Sequence, residues 1–365
     1  MMKIQGLHHI TLVSSNAQQT VDFYVKVLGL RLVKQTVNFD DPSAYHLYFG
    51  DAVGSPGSAI TFFEWKNVPK GHPGIGGTHH VALGVNDYNG LLKWKRRLTD
   101  LNIKVHGPYD RHYFKSIYLR DPDGVILEIA TMGPGFTVDE AVEALGTNHL
   151  PPPAAMMKAN RDEDHISSIT WSEPVPVITA DMALMHGMHH ITAIGSNIDA
   201  TNAFFTDVLG LQRVKKTDNF DDPNSAHWYW GVNNGQPGSL ITYFERKGDL
   251  RRAQMGRGQT HHYAFAVEDE AEQEEWRKRL MSAGYRVSQI LDRDYFRSIY
   301  SSDPDGHIVE LATNGPGFAV DEPVETLGQR LQLPKWLEQH RTTIENSLSP
   351  LVVPEWKNPL ETEES

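Results

Sequence analysis

The chain has 365 residues, of which 39% are hydrophobic and 22% charged, with no cysteine and a formal net charge of −12. The length and hydrophobic content predict a globular protein with enough apolar residues for the cores of two domains. The lack of cysteine excludes disulfides, thiolate metal sites and iron–sulfur clusters. Basic residues do not cluster, which argues against a nucleic-acid partner. No stretch approaches the ~18 apolar residues of a membrane span, and the N-terminus lacks an apolar signal region. We therefore expect a cytoplasmic protein without a membrane partner. The sequence does not decide whether the protein forms a homo-oligomer.

The sequence repeats itself once. The segment Asn38–Pro42 returns as Asn219–Pro223, and Tyr113–Tyr118 returns in related form as Tyr295–Tyr300. The shift is 181 or 182 residues throughout, so the chain consists of two similar halves. The predicted organisation is a first half at 1–145, a connecting segment at 146–185, a second half at 186–330 and a C-terminal extension at 331–365.

Each half divides into two units, and each unit reads as a strand, a helix and three further strands. In the first unit the strand Leu7–Val13 precedes Asn16, a suitable N-cap, and an amphipathic run that ends at Gly29. The other strands predicted for this unit are Arg31–Val37, Tyr45–Phe49 and Ala59–Trp65.

The second unit follows the same order. The strand Thr78–Val85 and a helix over 88–102 begin it, and Asp121–Gly124 predicts a hairpin turn. Its other predicted strands are Val105–Tyr109, Ser116–Arg120 and Val125–Thr131. The chain thus contains four βαβββ units in sequence.

A pair of adjacent histidines lies in the first strand of every unit. Because side chains alternate along a strand, we expect one histidine of each pair to face the inside of the sheet. The alternation alone does not decide which one. The four pairs are His8-His9, His79-His80, His189-His190 and His261-His262.

Four βαβββ units with histidine on the first strand resemble the vicinal oxygen chelate superfamily, which includes glyoxalases and extradiol dioxygenases. The resemblance implies an α+β fold in which the four units form two open, curved mixed β-sheet domains with helices outside. In this superfamily the metal ligand is usually the histidine that directly precedes a hydrophobic residue. The implied ligands are His9, His80, His190 and His262.

Two glutamates lie in the middle of apolar strands, where an unpaired carboxylate is costly. Glu128 follows His80 by 48 residues, and Glu310 follows His262 by the same interval. The corresponding strands of the first and third units carry Thr61 and Thr242 instead. Each site therefore offers two histidines and one carboxylate, the facial set that non-haem Fe(II) oxygenases use, without the fourth ligand of glyoxalase I.

The spacing does not decide which two units combine to form one metal site. Sequential pairing would join His9, His80 and Glu128, and would join His190, His262 and Glu310. Exchanged pairing would join His9, His262 and Glu310, and would join His80, Glu128 and His190. Both arrangements use all six residues.

Several short sequence segments resemble those of the ring-cleaving dioxygenases of the hydroquinone 1,2-dioxygenase type. They are Gly29–Lys34 (GLRLVK), Asn38–Pro42 (NFDDP), Tyr45–Gly50 (YHLYFG) and Gly315–Phe318 (GPGF). The resemblance implies Fe(II) as cofactor, with Mn(II) as the alternative metal, and a small aromatic substrate and O₂ as partners. It also favours the exchanged pairing.

The same resemblance implies further catalytic residues near the substrate and the metal. His46 and His227 also recur, and we interpret them as packing residues of aromatic strands. The implied catalytic residues are His8, Thr11, His261, Arg293 and Tyr300, with Arg111 and Tyr118 as counterparts in the other half.

Two alternatives to a hydroquinone dioxygenase remain at the level of sequence. One is another metalloenzyme of the same fold, either a catechol extradiol dioxygenase or a glyoxalase-like isomerase. The other is a non-catalytic protein that binds a small molecule between its units. The threonines at 61 and 242 argue against the isomerase, and the six retained candidate ligands argue against the binding protein.

Overall fold

The structure is a computed structural model that describes residues 2–248 and 251–361; the last four residues of the predicted extension lie outside this part. No helix in the described ranges is long and apolar enough to cross a membrane. The first unit contains the predicted elements, with a π-helical continuation of its helix over Asp22–Val27. Its elements are β1 (Gly6–Ser14), α1 (Ala17–Val21), β2 (Arg31–Asn38), β3 (Asp41–Gly50) and β4 (Ala59–Glu64).

The second unit and the connecting segment follow. The helix of this unit begins after the N-cap Asp87, whose side chain accepts a hydrogen bond from the Gly90 N–H. The elements of the unit are β5 (Gly77–Val85), α2 (Tyr88–Asp100), β6 (His106–Asp110), β7 (Lys115–Arg120) and β8 (Ile126–Thr131). The connecting segment contains one short helix, α3 (Glu163–Ser168).

The second half repeats the first. The helix of the third unit again continues as a π-helix, over Ala203–Val208. The elements of the third unit are β9 (Met188–Gly195), α4 (Ile198–Asn202), β10 (Gln212–Asn219), β11 (Asp222–Gly231) and β12 (Leu240–Glu245). Those of the fourth unit are β13 (Thr260–Val267), α5 (Glu270–Ser282), β14 (Leu291–Asp292), β15 (Arg297–Ser302) and β16 (Ile308–Thr313).

The C-terminal extension contains α6 (Arg341–Ser347) and runs back along the first unit. The Gln332 N–H donates to the Gln35 carbonyl, and the Trp356 indole donates to the Gly29 carbonyl. Short 3₁₀ turns lie at Phe136–Val138, Val142–Ala144, Ala154–Met156, Ala180–Met182, Phe318–Val320, Val324–Thr326, Glu338–His340 and Pro359–Glu361.

The strands form two eight-stranded sheets, and each sheet takes one unit from each half. The first sheet has the order β14-β15-β16-β13-β1-β4-β3-β2 and so joins units one and four. The second sheet has the order β10-β11-β12-β9-β5-β8-β7-β6 and joins units three and two. These are the two open, mixed sheets of the predicted α+β fold. Of the two pairings left open above, the structure contains the exchanged one.

The helices cover the outer faces of the sheets. In α2 the buried side chains are spaced three and four positions apart, at Leu91, Trp94 and Leu98, which gives one apolar stripe. Trp276 and Leu280 of α5 are buried in the same way. The inner faces are therefore left for the polar side chains of the first strands.

Exchanged pairing makes a prediction about the cut chain. A protease site inserted between the exposed Ser172 and Glu173 should yield two fragments that still co-elute in size-exclusion chromatography. The reason is that the β1–β13 and β5–β9 contacts hold units of opposite fragments in each sheet. A denaturing gel of the same fraction controls for complete cleavage. Separation into two folded fragments in native buffer would contradict the pairing.

Candidate metal centres

The first centre lies on three strands of the first sheet. His9 is on β1, His262 on β13 and Glu310 on β16, and none is more than 5% exposed. The Nε2 atoms of the two histidines are 3.3 Å apart. The Glu310 Oε2 atom lies 3.2 Å from His9 Nε2 and 3.0 Å from His262 Nε2. Three buried ligand atoms thus converge on one point.

The second centre repeats this geometry in the second sheet. His80 is on β5, Glu128 on β8 and His190 on β9. The Nε2 atoms of His80 and His190 are 3.2 Å apart, and they lie 2.9 and 3.3 Å from Glu128 Oε2. In each of the two groups the three ligand atoms lie within 4.8 Å of one another, close enough to hold one metal ion.

The donor atoms fit a divalent metal. Glu310 Oε2 and both carboxylate oxygens of Glu128 accept no conventional hydrogen bond within the described part of the chain. Their close contacts are to histidine nitrogens, which supply two lone pairs for one metal. Ligands held at about 2.1 Å on one face of an octahedron are about 3.0 Å apart, close to the separations found here. The arrangement leaves the opposite face open to other ligands.

The carboxylates are ionised despite their burial. Burial alone would raise the pKa of Glu310, but His9 and His262 hold that pKa well below its usual range. Burial also raises the pKa of Glu128, but the neighbouring His190 and His80 lower it. The pKa of Glu128 therefore lies well below its usual value. Each centre therefore holds an ionised carboxylate between two imidazoles, and a cation bound there would balance its charge.

A β-bulge lies at the first histidine of every pair. The register of β1 against β13 passes from Leu7 directly to His9, which leaves His8 as the extra residue. The same shift occurs at His261, and it occurs at His79 and His189 in the pairing of β5 with β9. A bulge re-aims the side chain of its extra residue. Strict alternation therefore fails at these positions, and both imidazoles of a pair come within hydrogen-bond distance.

The hydrogen bonds of His8 fix the tautomer of His9. The Thr313 carbonyl can only accept, so His8 Nε2, at 3.1 Å, carries the hydrogen. Burial and the neighbouring His9 lower the pKa of His8 to about 3, so the ring is neutral and its Nδ1 accepts. The donor is His9 Nδ1 at 2.8 Å. His9 therefore presents the lone pair of Nε2 to the centre.

His189 has the corresponding role in the second centre. Its Nδ1 is 2.9 Å from His190 Nδ1, and its ring bonds the backbone of Thr131. Among the described residues, neither His8 nor His189 lines the cavity next to its centre. Both ring nitrogens of His8 are occupied by the protein, which suits a polar neighbour of the metal rather than a group that contacts substrate. We assign it to positioning His9.

His261 and His79 are placed differently, because each lines a cavity next to its centre. Each bonds the following ligand histidine through Nδ1 at 2.8 Å. Burial and that neighbour lower the pKa of His261 to about 4, so the ring is neutral near pH 7. Its Nδ1 accepts from His262, which leaves an Nε2–H to donate into the cavity.

A buried hydrogen-bond chain continues from Thr11. Its Oγ1 lies 2.9 Å from His262 Nε2 and 2.8 Å from Thr61 Oγ1. Thr61 is in turn 2.9 Å from His46 Nε2, and His46 Nδ1 is 2.9 Å from the Tyr48 hydroxyl. His46 packs on the rings of Tyr48 and Phe63, as expected, and it also belongs to this hydrogen-bond chain. Its recurrence 181 residues later as His227 was the available signal.

The part of this chain from the first threonine to the tyrosine recurs at the second centre. The hydroxyls of Thr192 and Thr242 are 2.8 Å apart, and His227 Nε2 lies 2.9 Å from Thr242 Oγ1. The Tyr229 hydroxyl completes it at 3.0 Å from His227 Nδ1. His227 is thus also more than a packing residue. Thr61 and Thr242, which occupy the strand positions that carry glutamate in the other units, are both engaged in these hydrogen bonds.

An arginine and a tyrosine complete each site. Tyr300 lies opposite Glu310 in the β15–β16 ladder, and the Arg293 guanidinium is 5.4 Å from the centre of its ring. Burial and Glu310 raise the pKa of Tyr300 although Arg293 opposes the shift, so the phenol keeps its proton. In the second sheet Arg111 lies 5.3 Å from the ring of Tyr118 in the same arrangement.

The two centres open into cavities of different size. The first cavity is about 330 Å³ and is lined by side chains that include Phe39, Tyr48, Arg293 and Tyr300. The second cavity is about 1010 Å³ and extends from His80, Arg111 and Tyr118 to the surface. The structure therefore brings the predicted arginine and tyrosine of each half to a cavity beside a triad, while Thr11 lies beneath the first centre.

The placement of His8 generates a prediction about metal affinity. His8→Leu removes the acceptor for His9 Nδ1–H and should weaken metal binding about 10–100-fold, as loss of a partner of a ligating histidine does. His8→Asn keeps an acceptor near the Nδ1 position and should retain most of the affinity. Competition with a chromophoric chelator measures both dissociation constants. Equal affinity of the wild type and His8→Leu, with native circular dichroism, would contradict the positioning role.

Comparison with known proteins places these centres in a family. The family model described as Glyoxalase/Bleomycin resistance protein/Dioxygenase superfamily matches residues 6–129 and 187–311. The chain is 35% identical over 360 residues to MhqO of Bacillus subtilis, named as a ring-cleaving dioxygenase, covering 97% of this chain and 98% of that one. It is 29% identical to the chlorohydroquinone/hydroquinone 1,2-dioxygenase of Sphingobium indicum, covering 92% and 93%.

Solved structures agree with this assignment. A Bacillus subtilis crystal structure described as a dioxygenase superposes with a TM-score of 0.77 at 32% identity, covering 97% of this chain and all of that one. Glyoxalase I from Zea mays shares the fold alone, with a TM-score of 0.56 at 14% identity and coverage of 85% and 92%. The chain belongs to the Glyoxalase/Bleomycin resistance protein/Dioxygenase superfamily, and it is an enzyme of the dioxygenase type.

Proposed function

We propose that the protein is an Fe(II)-dependent dioxygenase that opens the ring of small hydroquinones with O₂ at the first centre. The observation that carries the proposal is the convergence of His9 Nε2, His262 Nε2 and Glu310 Oε2 within 3.0–3.3 Å beside a cavity that has aromatic walls. Two imidazoles and one carboxylate with open positions suit iron that must receive both substrate and O₂. Mn(II) has the same ligand preferences and is the alternative metal.

The size and lining of the first cavity support a single-ring substrate. About 330 Å³ holds one substituted ring, and Phe39, Phe63 and Phe296 supply apolar walls. Among the polar groups of the lining, Arg293 and Tyr300 lie next to each other. A ring with hydroxyl groups can place one oxygen at the centre and present another polar edge to the wall. The hydroquinone class itself comes from the Sphingobium indicum relative.

The protein side chains bind the substrate and handle its proton. Tyr300, with its raised pKa, donates a hydrogen bond to an oxygen that becomes negative, and the Arg293 charge stabilises the same oxygen. His261 also lines the cavity, offers an Nε2–H and can exchange a proton with a substrate oxygen. Bound Fe(II) would supply the electron transfer that lets O₂ react with a closed-shell ring.

The overall reaction balances without another reductant. One ring carbon–carbon bond next to a hydroxyl-bearing carbon breaks, and both oxygen atoms of O₂ enter the product. The hydroxyl-bearing carbon becomes a carboxyl carbon and its former neighbour becomes a carbonyl carbon. The ring supplies all four electrons that reduce O₂. The competing isomerase would need a further carboxylate ligand, and Thr61 occupies that position.

The proposal predicts stoichiometric O₂ uptake. After anaerobic loading with Fe(II), the enzyme should consume one O₂ per molecule of hydroquinone, methylhydroquinone or chlorohydroquinone, and should turn over catechol more slowly. Glu310→Ala should remove the metal of the first centre and most of this activity. Metal analysis on the same samples accompanies the O₂ electrode. An iron-loaded enzyme that consumes no O₂ with any hydroquinone would contradict the proposal.

The role of Tyr300 has a separate test. Tyr300→Phe removes one preorganised donor and should lower kcat for hydroquinone about 10²–10³-fold with unchanged iron content. Tyr285→Phe is the matched control, because that ring packs on Phe204 away from both centres. Stopped-flow absorbance of substrate loss gives kcat. Similar values of kcat for the two variants would contradict a catalytic role of the Tyr300 hydroxyl.

A further inference from the structure

We propose that the second centre is a distinct active site for larger aromatic diols that carry an anionic side chain. This inference rests on the proposed function, since it assigns the same ring-opening reaction to the triad of His80, Glu128 and His190. It differs in substrate class. The observation behind it is that two nearly superimposable triads in one chain open into cavities of unlike size and charge.

The buried part of the second centre is equivalent to that of the first. The ligand-atom separations of 2.9–3.3 Å match those of the first triad. Arg111 lies above Tyr118 as Arg293 lies above Tyr300. His79 faces the second cavity as His261 faces the first. All groups that the proposed reaction uses at the first centre therefore have a counterpart here.

The rims differ at positions that the internal repeat aligns. Trp65, after β4, packs edge-on against His261 with 5.8 Å between ring centres, and it stacks on Phe63. Its counterpart after β12 is Arg246, which lines the second cavity. Arg120, at the end of β7, also lines that cavity, and its counterpart at the end of β15 is Ser302. Two arginines thus replace an aromatic ring and a small hydroxyl.

Further cations lie at the same opening. Lys104 and Lys158 line the second cavity together with the two arginines. In the ranges that the structure describes, Lys104, Lys158 and Arg246 form no ion pair. Unpaired cations grouped at one cavity are unexpected in a chain of net charge −12. They give the outer part of this cavity a positive potential, which favours an anionic substrate.

The cavity lining holds fewer carboxylates than cations, because Asp121, Asp221 and Asp222 face Lys104, Arg111, Arg120, Lys158 and Arg246. Asp221 accepts from Arg111 at 3.2 Å and from Arg161 at 2.6 Å. Asp121 is buried and accepts three backbone N–H groups of its own turn. Asp222 accepts the Asn224 N–H. In the described ranges none of these carboxylates forms an ion pair with Lys104, Lys158, Arg120 or Arg246, so the cavity keeps an excess of positive charge.

The volume separates the two sites further. The second cavity, at about 1010 Å³, is about three times as large as the first, at about 330 Å³. A ring at the triad would leave room for a side chain that reaches toward Arg120 and Arg246. A carboxylate at the end of that side chain is the group that arginine and lysine bind best. The substrate class is therefore a hydroquinone with a carboxylate-bearing substituent.

Equilibrium binding tests this without turnover. The probes are 2,5-dihydroxyphenylacetate and its methyl ester, which have similar size and differ in charge. In anaerobic calorimetry, iron-loaded Glu310→Ala protein should bind the acid at least about tenfold more tightly than the ester, as expected for one partly desolvated ion pair. The Arg120→Ser and Arg246→Trp changes, which install the first-site residues, should bring the two affinities within about twofold of each other. Equal affinities before these changes would overturn the proposal.

Kinetics separate this proposal from the proposed function. Glu128→Ala keeps only the first centre and should cleave hydroquinone, whereas Glu310→Ala keeps only the second and should cleave the acid faster than its ester. An active Glu128→Ala enzyme with an iron-loaded but inactive Glu310→Ala enzyme would overturn the second-site proposal alone. Inactivity of both toward every diol would overturn the proposed function. If a triad variant does not fold, the acid-to-ester ratio of kcat/KM in the otherwise unmodified chain, with and without Arg120→Ser and Arg246→Trp, decides the question.

Discussion

The antiparallel pairing of β1 with β13, and of β5 with β9, is the constraint on which both centres depend. His9 and His262 come from opposite ends of the chain, and only this pairing puts their Nε2 atoms 3.3 Å apart. The parallel neighbour β16 then brings Glu310 from the same unit as His262. A metal at either centre would therefore link two halves of the chain, and its binding energy would add to the stability of the sheets.

The bulges at these pairings have a second consequence. A regular ladder would point His8 and His9 to opposite faces, and His8 would then have to be accommodated in the apolar core. The extra residue in the strand turns His8 toward the Thr313 carbonyl and toward His9. The imidazole that the fold cannot place in the core thus becomes the group that sets the tautomer of the ligand. At His79 and His261 the same kind of β-bulge turns the imidazole so that it lines a cavity, where its N–H can donate a hydrogen bond.

Much of this arrangement could be predicted from the sequence, because the repeat supplied four copies of the histidine pair and two copies of the glutamate strand. The elements of the first two units, the six residues of the triads and the two open sheets follow from periodicity, equal spacing and family resemblance. The partners of each unit did not follow from the residues, since both pairings satisfy the same spacing. The bulges were hidden for a physical reason: a single extra residue leaves the apolar alternation of a short strand almost unchanged. The role of His46 was hidden because aromatic neighbours suggested packing.

The unequal cavities bear on why two triads exist in one chain. A carboxylate and two imidazoles packed 2.9–3.3 Å apart in a dry interior are costly unless a cation lies between them. If the second triad were only a remnant of duplication, apolar replacements of Glu128, His80 and His190 would relieve that cost without loss to the first centre. The chain instead keeps the triad, its tautomer-setting His189 and the Arg111–Tyr118 pair, and varies the rim at Arg120 and Arg246. Variation confined to the rim around an equivalent buried centre is what a change of substrate requires, because the reaction depends on the buried groups and the choice of substrate depends on the opening.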